Sequence, residues 1–105
     1  MAVAELDADP SDALAGTPAA VVVFYASWCG DCVRSLEFEK KLSEELRGKV
    51  AFCRMDAEKY ERIADKYLVE RYPTYVLFRN GAPDKKILVE PAGEDEVRQW
   101  LKAIR

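Results

Sequence analysis

The sequence lacks several features that whole classes of proteins need. It has no histidine, only three cysteines in 105 residues, and a formal net charge of -3 with both signs interspersed. Such a balanced surface gives no electrostatic grip on a polyanion, so we expect no DNA or RNA partner. Three clustered cysteines are also too few for a disulfide-stapled secreted scaffold, so any purpose they serve is chemical.

Long hydrophobic runs are missing as well. No window approaches the roughly 18 continuous apolar residues of a membrane helix. Residues 1–7 have neither the basic start nor the apolar stretch of a secretory signal. We therefore expect a cytoplasmic protein with no membrane partner. Half of the residues are hydrophobic, so the chain is expected to fold without a cofactor, as one domain over residues 1–105.

The hydrophobic pattern predicts alternating strands and helices after a polar lead. The lead covers residues 1–18 and contains one short helical turn at 11–15. Residues 20–26 are apolar on both alternating faces, which predicts a central strand covered on both sides. The remaining predictions are a helix from Cys29 or Gly30 to Arg47, a strand at 50–55, a helix at 58–68, a strand at 74–79, a turn at Asn80-Gly81, a strand at 85–89 and a helix at 94–104.

These elements predict an α/β fold. The first strand, helix and strand make a parallel βαβ unit, and the later hairpin adds antiparallel strands. The result is a small mixed sheet with helices on both faces. Both long helices are expected to be amphipathic. The solvent face of the first carries Glu39, Lys40, Lys41, Glu44 and Glu45, and the buried stripe of the last is Val97, Trp100, Leu101 and Ile104.

Two cysteines lie two residues apart where the central strand gives way to a helix. Exposed amides and the helix dipole favour negative charge at Cys29, and a thiolate is the species that attacks disulfides. Cys32 lies one helical turn further on, close enough to attack the mixed disulfide that forms. Cys29 is therefore the predicted nucleophile and Cys32 the resolving thiol.

Two other interpretations of this pair are incidental thiols and one half of a zinc site. A structural zinc site needs four ligands, and the chain offers no histidine and only one further cysteine, Cys53. We therefore predict no metal site. Because Cys53 lies in an apolar strand, it is expected to be a small core residue.

Residues 24–32 closely resemble the active-site segment of the thioredoxin family. The likeness continues in order: Arg54-Met55-Asp56 is similar to the family's Lys-x-Asp strand end, residues 63–67 to its following helix, and Tyr72-Pro73-Thr74 to its cis-proline loop. It covers roughly residues 19–104. The resemblance implies a thioredoxin fold and protein-disulfide oxidoreductase activity without a metal or organic cofactor. It also implies disulfide-containing client proteins, and a thioredoxin reductase or another dithiol donor as reductant.

The same resemblance implies a substrate groove beside Cys29. Pro73 would have a cis peptide bond and lie against the dithiol, since only an X-Pro bond adopts cis at modest cost. The backbone of Tyr72 would then be free to pair with an extended client segment. The implied docking surface consists of Trp28, Gly30, Tyr72 and Pro73.

The chain departs from the family pattern around the dithiol. Asp31 replaces the usual proline and should work against the helix dipole at Cys29, by on the order of 0.6 kcal/mol in water-like surroundings at roughly 7 Å. The family's buried aspartate is Val23 here, which leaves Asp31 or Glu37 as candidates for proton transfer. Arg54 matches the family's buried lysine, and its pairing with Asp31 or Glu37 is a hypothesis.

Two narrower interpretations follow from these departures. In the first, the departures at Asp31 and Val23 indicate a specialised member of the family with few clients. The segment Glu90-Pro91-Ala92, which replaces a groove-lining glycine of the family, favours the same interpretation. The alternative is a thioredoxin-fold interaction module whose dithiol reacts slowly. In either case we expect a monomer.

Overall fold

The apolar run after the lead forms the central strand of a five-stranded sheet. The computed structural model describes residues 3–103, without the side chains of Lys85 and Lys86. In chain order its elements are β1 (Ala4–Glu5), α1 (Pro10–Ala13), β2 (Ala20–Tyr25), α2 (Gly30–Glu45), β3 (Ala51–Asp56), α3 (Glu61–Lys66), β4 (Thr74–Arg79), β5 (Ala82–Val89) and α4 (Glu94–Ala103). None of the described helices combines the length and apolar composition needed to span a bilayer.

The strand order is β1-β3-β2-β4-β5, with β2 in the middle. β2 runs parallel to β3 and antiparallel to β4, as predicted from the βαβ unit and the later hairpin. The register places Val23 opposite Arg54 on one neighbour and opposite Tyr75 on the other. Directly paired residues project from the same face of a sheet, so these three side chains form a row across one face.

Hydrophobic cores cover both faces of the sheet. Every residue from Ala20 to Phe24 is fully buried, because alternate side chains of β2 enter opposite cores. One core contains Ala64 of α3 together with Val22 and Phe24. The other contains residues of α2 and α4, Leu42 and Val97, together with Val21 and Val23. The predicted α/β fold with helices on both faces is confirmed, whereas the single-domain organisation stays a prediction.

The helix after β3 is shorter than predicted. It was expected at 58–68 but spans only Glu61–Lys66. The Asp56 carboxylate accepts hydrogen bonds from the amides of Glu58 and Lys59, and such local bonds hold the backbone in a turn that competes with the helix. Leu68, with φ at +61°, lies beyond the other end. A local side chain thus overrides the apolar periodicity.

The lead contributes more than the predicted helical turn. Ala4 and Glu5 form β1, which pairs in parallel with Cys53 and Arg54 of β3. A two-residue strand has no periodicity to detect, so only pairing with a neighbour defines it. The buried stripe predicted for the last helix includes Ile104, which lies outside the described residues.

The turn between β4 and β5 packs closely against the lead. Gly81 has a φ of +83°, and a Cβ there would lie 2.6 Å from the carbonyl oxygen of Ser11. Gly48, after α2, has nearly the same φ of +86°, but a Cβ on that residue would meet nothing within 4 Å. Both glycines therefore have a left-handed backbone conformation, and only at Gly81 would a side chain also collide with a neighbouring atom.

We expect Gly48→Ala to lower the free energy of unfolding by about 1–2 kcal/mol, the cost of a left-handed backbone for a residue with a Cβ. Gly81→Ala should cost about 1–3 kcal/mol more, because the added methyl group overpacks the contact with Ser11. Urea unfolding followed by circular dichroism measures both values. Equal losses in the two variants would contradict the tight packing of the lead on the turn.

Candidate active site

The two cysteines of the motif lie at the N-terminus of α2, directly after the central strand. Cys29 caps the helix, and its Sγ accepts a hydrogen bond from the amide of Cys32 at 3.1 Å. The amides of a first helical turn stabilise negative charge. The Cys29 sulfur therefore lies at the helix end where those amides are concentrated.

Cys32 occupies a drier position than Cys29. Its residual exposure is 1%, against 6% for Cys29. Burial, reinforced by the hydrogen bond with Cys29, raises the pKa of the Cys32 thiol to about 12. Cys32 is thus the more deeply buried of the two thiols, and the roles of both cysteines stay predictions.

The loop before β4 lies against the dithiol. The Tyr72–Pro73 peptide bond is cis, as the resemblance implied. The Cys29 thiol donates a weak hydrogen bond to the Tyr72 carbonyl oxygen, with Sγ 3.7 Å away. The Tyr72 carbonyl, which the resemblance implied would be free, therefore already has a donor in the Cys29 thiol.

The remaining residues of the predicted docking surface lie around the same spot. Trp28 is 67% exposed, and its ring meets the Tyr72 ring edge to face at 5.8 Å between centroids. Its Nε1 donates to a carboxylate oxygen of Glu58 at 2.6 Å. Gly30, also exposed, begins α2. The structure thus brings the predicted surface residues together beside Cys29.

A shallow cavity of about 380 Å³ adjoins the dithiol on the side of Pro73. Its lining combines the start of α2, the cis-proline loop and the segment between β5 and α4. The lining residues are Asp31, Arg34, Ser35, Phe38, Pro73, Glu90, Pro91, Ala92 and Gly93. Glu90, Pro91 and Ala92 thus line a cavity together with Pro73, and their place in a substrate groove stays a prediction.

The hypothesis that Arg54 pairs with Asp31 or Glu37 is wrong. Asp31 forms an exposed ion pair with Arg34, one turn further along α2. Glu37 is exposed on the same helix. Arg54 points into the protein, so neither surface carboxylate is its partner. The proton-transfer role predicted for Asp31 or Glu37 stays a prediction.

The partner of Arg54 is Glu39, which was expected to face water and is instead fully buried. Its Oε1 lies 3.1 Å from Arg54 Nε. The N–H of Nε is not aligned with that oxygen, so the contact is an ion pair rather than a hydrogen bond. The hydroxyl of Tyr75 donates to Glu39 Oε2 at 2.6 Å. We call Glu39, Arg54 and Tyr75 the buried ion-pair cluster.

This cluster is connected directly to the dithiol. Arg54 Nη2 donates to the main-chain carbonyl of Cys32 at 2.9 Å, and the Ser35 hydroxyl donates to the same oxygen at 3.2 Å. The guanidinium also lies 4.3 Å from the ring centroid of Tyr25, a cation–π contact. Arg54 therefore joins the sheet to the first turn of α2.

A signal for Glu39 was present in the sequence. Cys32, Ser35, Glu39 and Leu42 follow one another at spacings of three and four, which is the spacing of one helix face, and all four are buried. A cation in the buried strand β3 also requires a carboxylate nearby. Nothing comparable points to Tyr75, whose role depends on the register between β2 and β4.

The third cysteine lies away from the site. Cys53 is buried in the core on the α3 side of the sheet, and burial raises the pKa of its thiol. The prediction that Cys53 lies in the core is confirmed. Among residues 3–103, no group of three or more His, Cys, Asp or Glu side chains could hold a metal ion.

A model of the thioredoxin family matches residues 3–103. This chain belongs to the thioredoxin family. The match begins at residue 3 and so includes most of residues 1–18, whereas the resemblance seen in the sequence began at about residue 19. Membership supports dithiol–disulfide oxidoreductase chemistry in general, and thioredoxins act on disulfide clients with reductases as donors.

Individual thioredoxins agree with this assignment. A thioredoxin-like protein of Synechocystis sp. is 38% identical over 84 residues, which cover 79% of this chain and 80% of that protein. The chloroplastic thioredoxin Y of Oryza sativa subsp. japonica is 41% identical over 63 residues, 60% of this chain but 38% of that protein. The thioredoxin of Fasciola hepatica, a solved structure, is 29% identical with a TM-score of 0.73, covering 83% of this chain and 81% of its own. The matched region is thus less than two fifths of the length of two plant thioredoxins.

Because the Cys32 thiol is buried, we expect the free energy of unfolding to fall at alkaline pH. The pKa of this thiol is about 12 in the folded protein and 9.0 ordinarily, so folding favours the protonated thiol. The stabilisation is fully present below pH 9 and is lost as the pH rises from 9 towards 12. Between pH 7 and pH 10 this thiol alone should remove up to about 1.4 kcal/mol from the free energy of unfolding.

Urea unfolding of the reduced protein and of Cys32→Ser at both pH values isolates this contribution, because Cys53 and the tyrosines titrate in both proteins. We expect the reduced wild type to lose more stability than Cys32→Ser over this interval. Identical losses would mean that burial does not hold the thiol protonated.

Proposed function

We propose that this chain reduces disulfide bonds in client proteins, with Cys29 as the nucleophile and Cys32 as the resolving thiol. The observation that carries the proposal is the position of Cys29 Sγ at the N-cap of α2, where it accepts the Cys32 amide and faces the Tyr72 carbonyl next to a cis-proline. A sulfur held there has stabilised negative charge and an adjacent backbone acceptor for a client.

The reaction consists of two exchanges. The Cys29 thiolate attacks one sulfur of the client disulfide, and the other client sulfur leaves as a thiolate that takes up a proton. Cys32 then loses its proton and attacks Cys29 Sγ in the mixed disulfide. The second client sulfur leaves, and a Cys29–Cys32 disulfide forms. Two electrons have passed to the client, and a thioredoxin reductase or another dithiol donor restores them.

The groove beside Cys29 is the proposed client site. An extended client segment would lie across Trp28, Gly30 and Pro73. Its amide would replace the weak Cys29 thiol donor at the Tyr72 carbonyl, since an N–H···O bond is stronger than one from a thiol. Engaging the client would thereby also free the Cys29 sulfur to react.

The proposal extends to the setting of the reaction. Because the dithiol must be re-reduced, it needs a compartment where thiols are kept reduced, and we propose the cytoplasm. We further propose a monomer that acts without a bound cofactor and without a nucleic-acid or membrane partner. Cell fractionation with an antibody against the chain would test the location.

A disulfide-reduction assay on insulin tests the activity. With dithiothreitol as electron donor, we expect the wild type to accelerate reduction and Cys29→Ser to give only the rate without protein. In a parallel incubation without dithiothreitol, which would cleave the product, pre-reduced Cys32→Ser should accumulate a mixed disulfide with insulin, visible by mass spectrometry. Cys53→Ser is the control, because its thiol lies in the opposite core, and it should match the wild type. An inert, folded wild type would overturn the proposal.

We also propose that Asp31 restrains the reactivity of Cys29. Its carboxylate opposes the helix dipole, although its pairing with Arg34 offsets part of that charge. Asp31→Asn should speed the reaction of Cys29 with a small aromatic disulfide at pH 7 by roughly two- to threefold. The gain should shrink in 1 M salt, where screening is strong. An unchanged rate at low salt would show that Asp31 does not affect the reactivity of Cys29.

A further inference from the structure

The buried ion-pair cluster occupies an interface where apolar side chains would ordinarily pack. Its members come from three elements: Glu39 from α2, Arg54 from β3 and Tyr75 from β4. The side chain of Glu39 is fully buried and that of Arg54 is 8% exposed. Val23 lies between Arg54 and Tyr75 in the register of the sheet and contributes no charge. The cluster thus holds one cation and one anion in contact, and their hydrogen bonds go to the Cys32 carbonyl and the Tyr75 hydroxyl.

A buried ion pair is a weak source of stability, because desolvation offsets most of the attraction. This pair differs from an isolated ion pair because Arg54 also contacts the dithiol segment. Arg54 contacts Glu39 with one nitrogen and the Cys32 carbonyl with another. A planar guanidinium suits such a bridge, since its donors have a fixed geometry. The anion therefore fixes the position of a cation that lies against the resolving cysteine.

We propose that Glu39 is a positioning residue for disulfide exchange: it holds the Arg54 guanidinium against the first turn of α2 and partly neutralises it, and the pair thereby controls how readily the Cys32 thiol ionises. The inference rests on the proposed function only in taking Cys32 as the resolving thiol. No contact between Glu39 and the sulfur itself is required.

The physical basis is the balance of charges around Cys32. The titratable and charged groups that act on it are the Cys29 thiol at the N-cap of α2 and Arg54 on β3, and Arg54 is paired with Glu39. Burial opposes ionisation and the Arg54 charge favours it, so the two act in opposite directions on the pKa of Cys32. The carboxylate of Glu39 weakens the effect of the cation.

The surface charges contribute little to this balance. Asp31 is exposed and paired with Arg34, where solvent screens it. Arg54 itself does not accept the proton, because a guanidinium stays protonated in proteins. In the resolving step the proton of Cys32 leaves for water or for the departing client thiolate, while the electron pair of the thiolate forms the new S–S bond.

Substitutions in the cluster should therefore act in opposite directions. Glu39→Gln keeps an oxygen for the Tyr75 hydroxyl but removes the negative charge, so the unopposed Arg54 should lower the pKa of Cys32. Arg54→Met removes the cation and should raise it. A change of roughly one unit is expected in each case. If Glu39 and Arg54 had only a structural role, both variants would disturb the site, but the pKa of Cys32 would not shift in opposite directions.

The resolving step can be timed with 5,5′-dithiobis(2-nitrobenzoate) as the probe. In a Cys53→Ser background, attack by Cys29 releases one coloured thiolate and leaves a mixed disulfide. Attack by Cys32 on that mixed disulfide releases a second thiolate. Stopped-flow absorbance from pH 6 to pH 9 gives the rate of each phase. The protein needs no client for this reaction, so the measurement stands even if the insulin assay fails.

We expect the second phase to be roughly threefold faster in Glu39→Gln and roughly threefold slower in Arg54→Met for each unit of pKa change. The factor is smaller than ten because a less basic thiolate is also a weaker nucleophile. Arg54→Lys, which keeps the charge, should recover part of the rate lost in Arg54→Met. The first phase should change less than the second in all three.

Glu44→Gln is the matched control. It removes the same charge from the same helix, but from an exposed pair with Arg47 at 3.8 Å, and should leave both phases unchanged. The inference is overturned if Glu39→Gln and Arg54→Met shift the second phase in the same direction, or if Glu44→Gln has the effect of Glu39→Gln.

A double variant keeps the inference testable if either single variant fails to fold. Replacing both partners by apolar side chains, as in Glu39→Leu with Arg54→Met, avoids an unpaired buried charge and is often tolerated. Circular dichroism and thermal melting verify its fold. Because Arg54 is the member that contacts Cys32, removing both charges should still slow the second phase. A folded double variant with an unchanged second phase would refute the proposal.

Discussion

The structure depends most on one constraint, a positive charge held inside the protein. Arg54 belongs to a strand with neighbours on both sides, so its guanidinium cannot reach bulk water and must find its partners within the fold. Glu39 supplies a carboxylate, the Cys32 carbonyl an acceptor and Tyr25 an aromatic face. Glu39 and Cys32 both belong to α2, so these two contacts attach α2 to the sheet at Arg54, and Tyr25 adds a contact within the sheet.

That arrangement also fixes the dithiol. Cys29 and Cys32 lie on the first turn of α2, so whatever orients α2 orients both sulfurs. Cys29 emerges at the end of the helix next to the Tyr72 carbonyl, where amides favour a negative sulfur. Cys32 is turned inward, where burial keeps its proton. Two chemically identical thiols three positions apart thereby lie in different surroundings at one helix terminus.

The buried carboxylate of this chain is Glu39, which lies against Arg54. The position of the family's buried aspartate, in the central strand, is Val23 here, and the carboxylate comes from α2 instead, within the same interface. Val23, Arg54 and Tyr75 lie side by side in the sheet, so a carboxylate above this row can reach the cation and the hydroxyl together. The interior requires a negative charge opposite Arg54, and more than one element of the fold is close enough to supply it.

The sequence by itself determined the order and type of the longer elements, the central strand and the dithiol at a helix start. These depend on periodicity and on local backbone chemistry, which neighbouring residues carry. It did not determine β1, which only pairing with β3 defines, or the length of α3, which the Asp56 carboxylate shortens. Above all, the spacing that puts Glu39 on one helix face with Cys32 and Leu42 did not by itself place its carboxylate in the core. A glutamate in a charged helix is ordinarily solvated, and only the rotation of α2 on the sheet and the register of β2 with its two neighbours bring Glu39, Arg54 and Tyr75 together. The tertiary structure alone decided which carboxylate meets the buried charge, because that choice depends on distances between elements far apart in the chain.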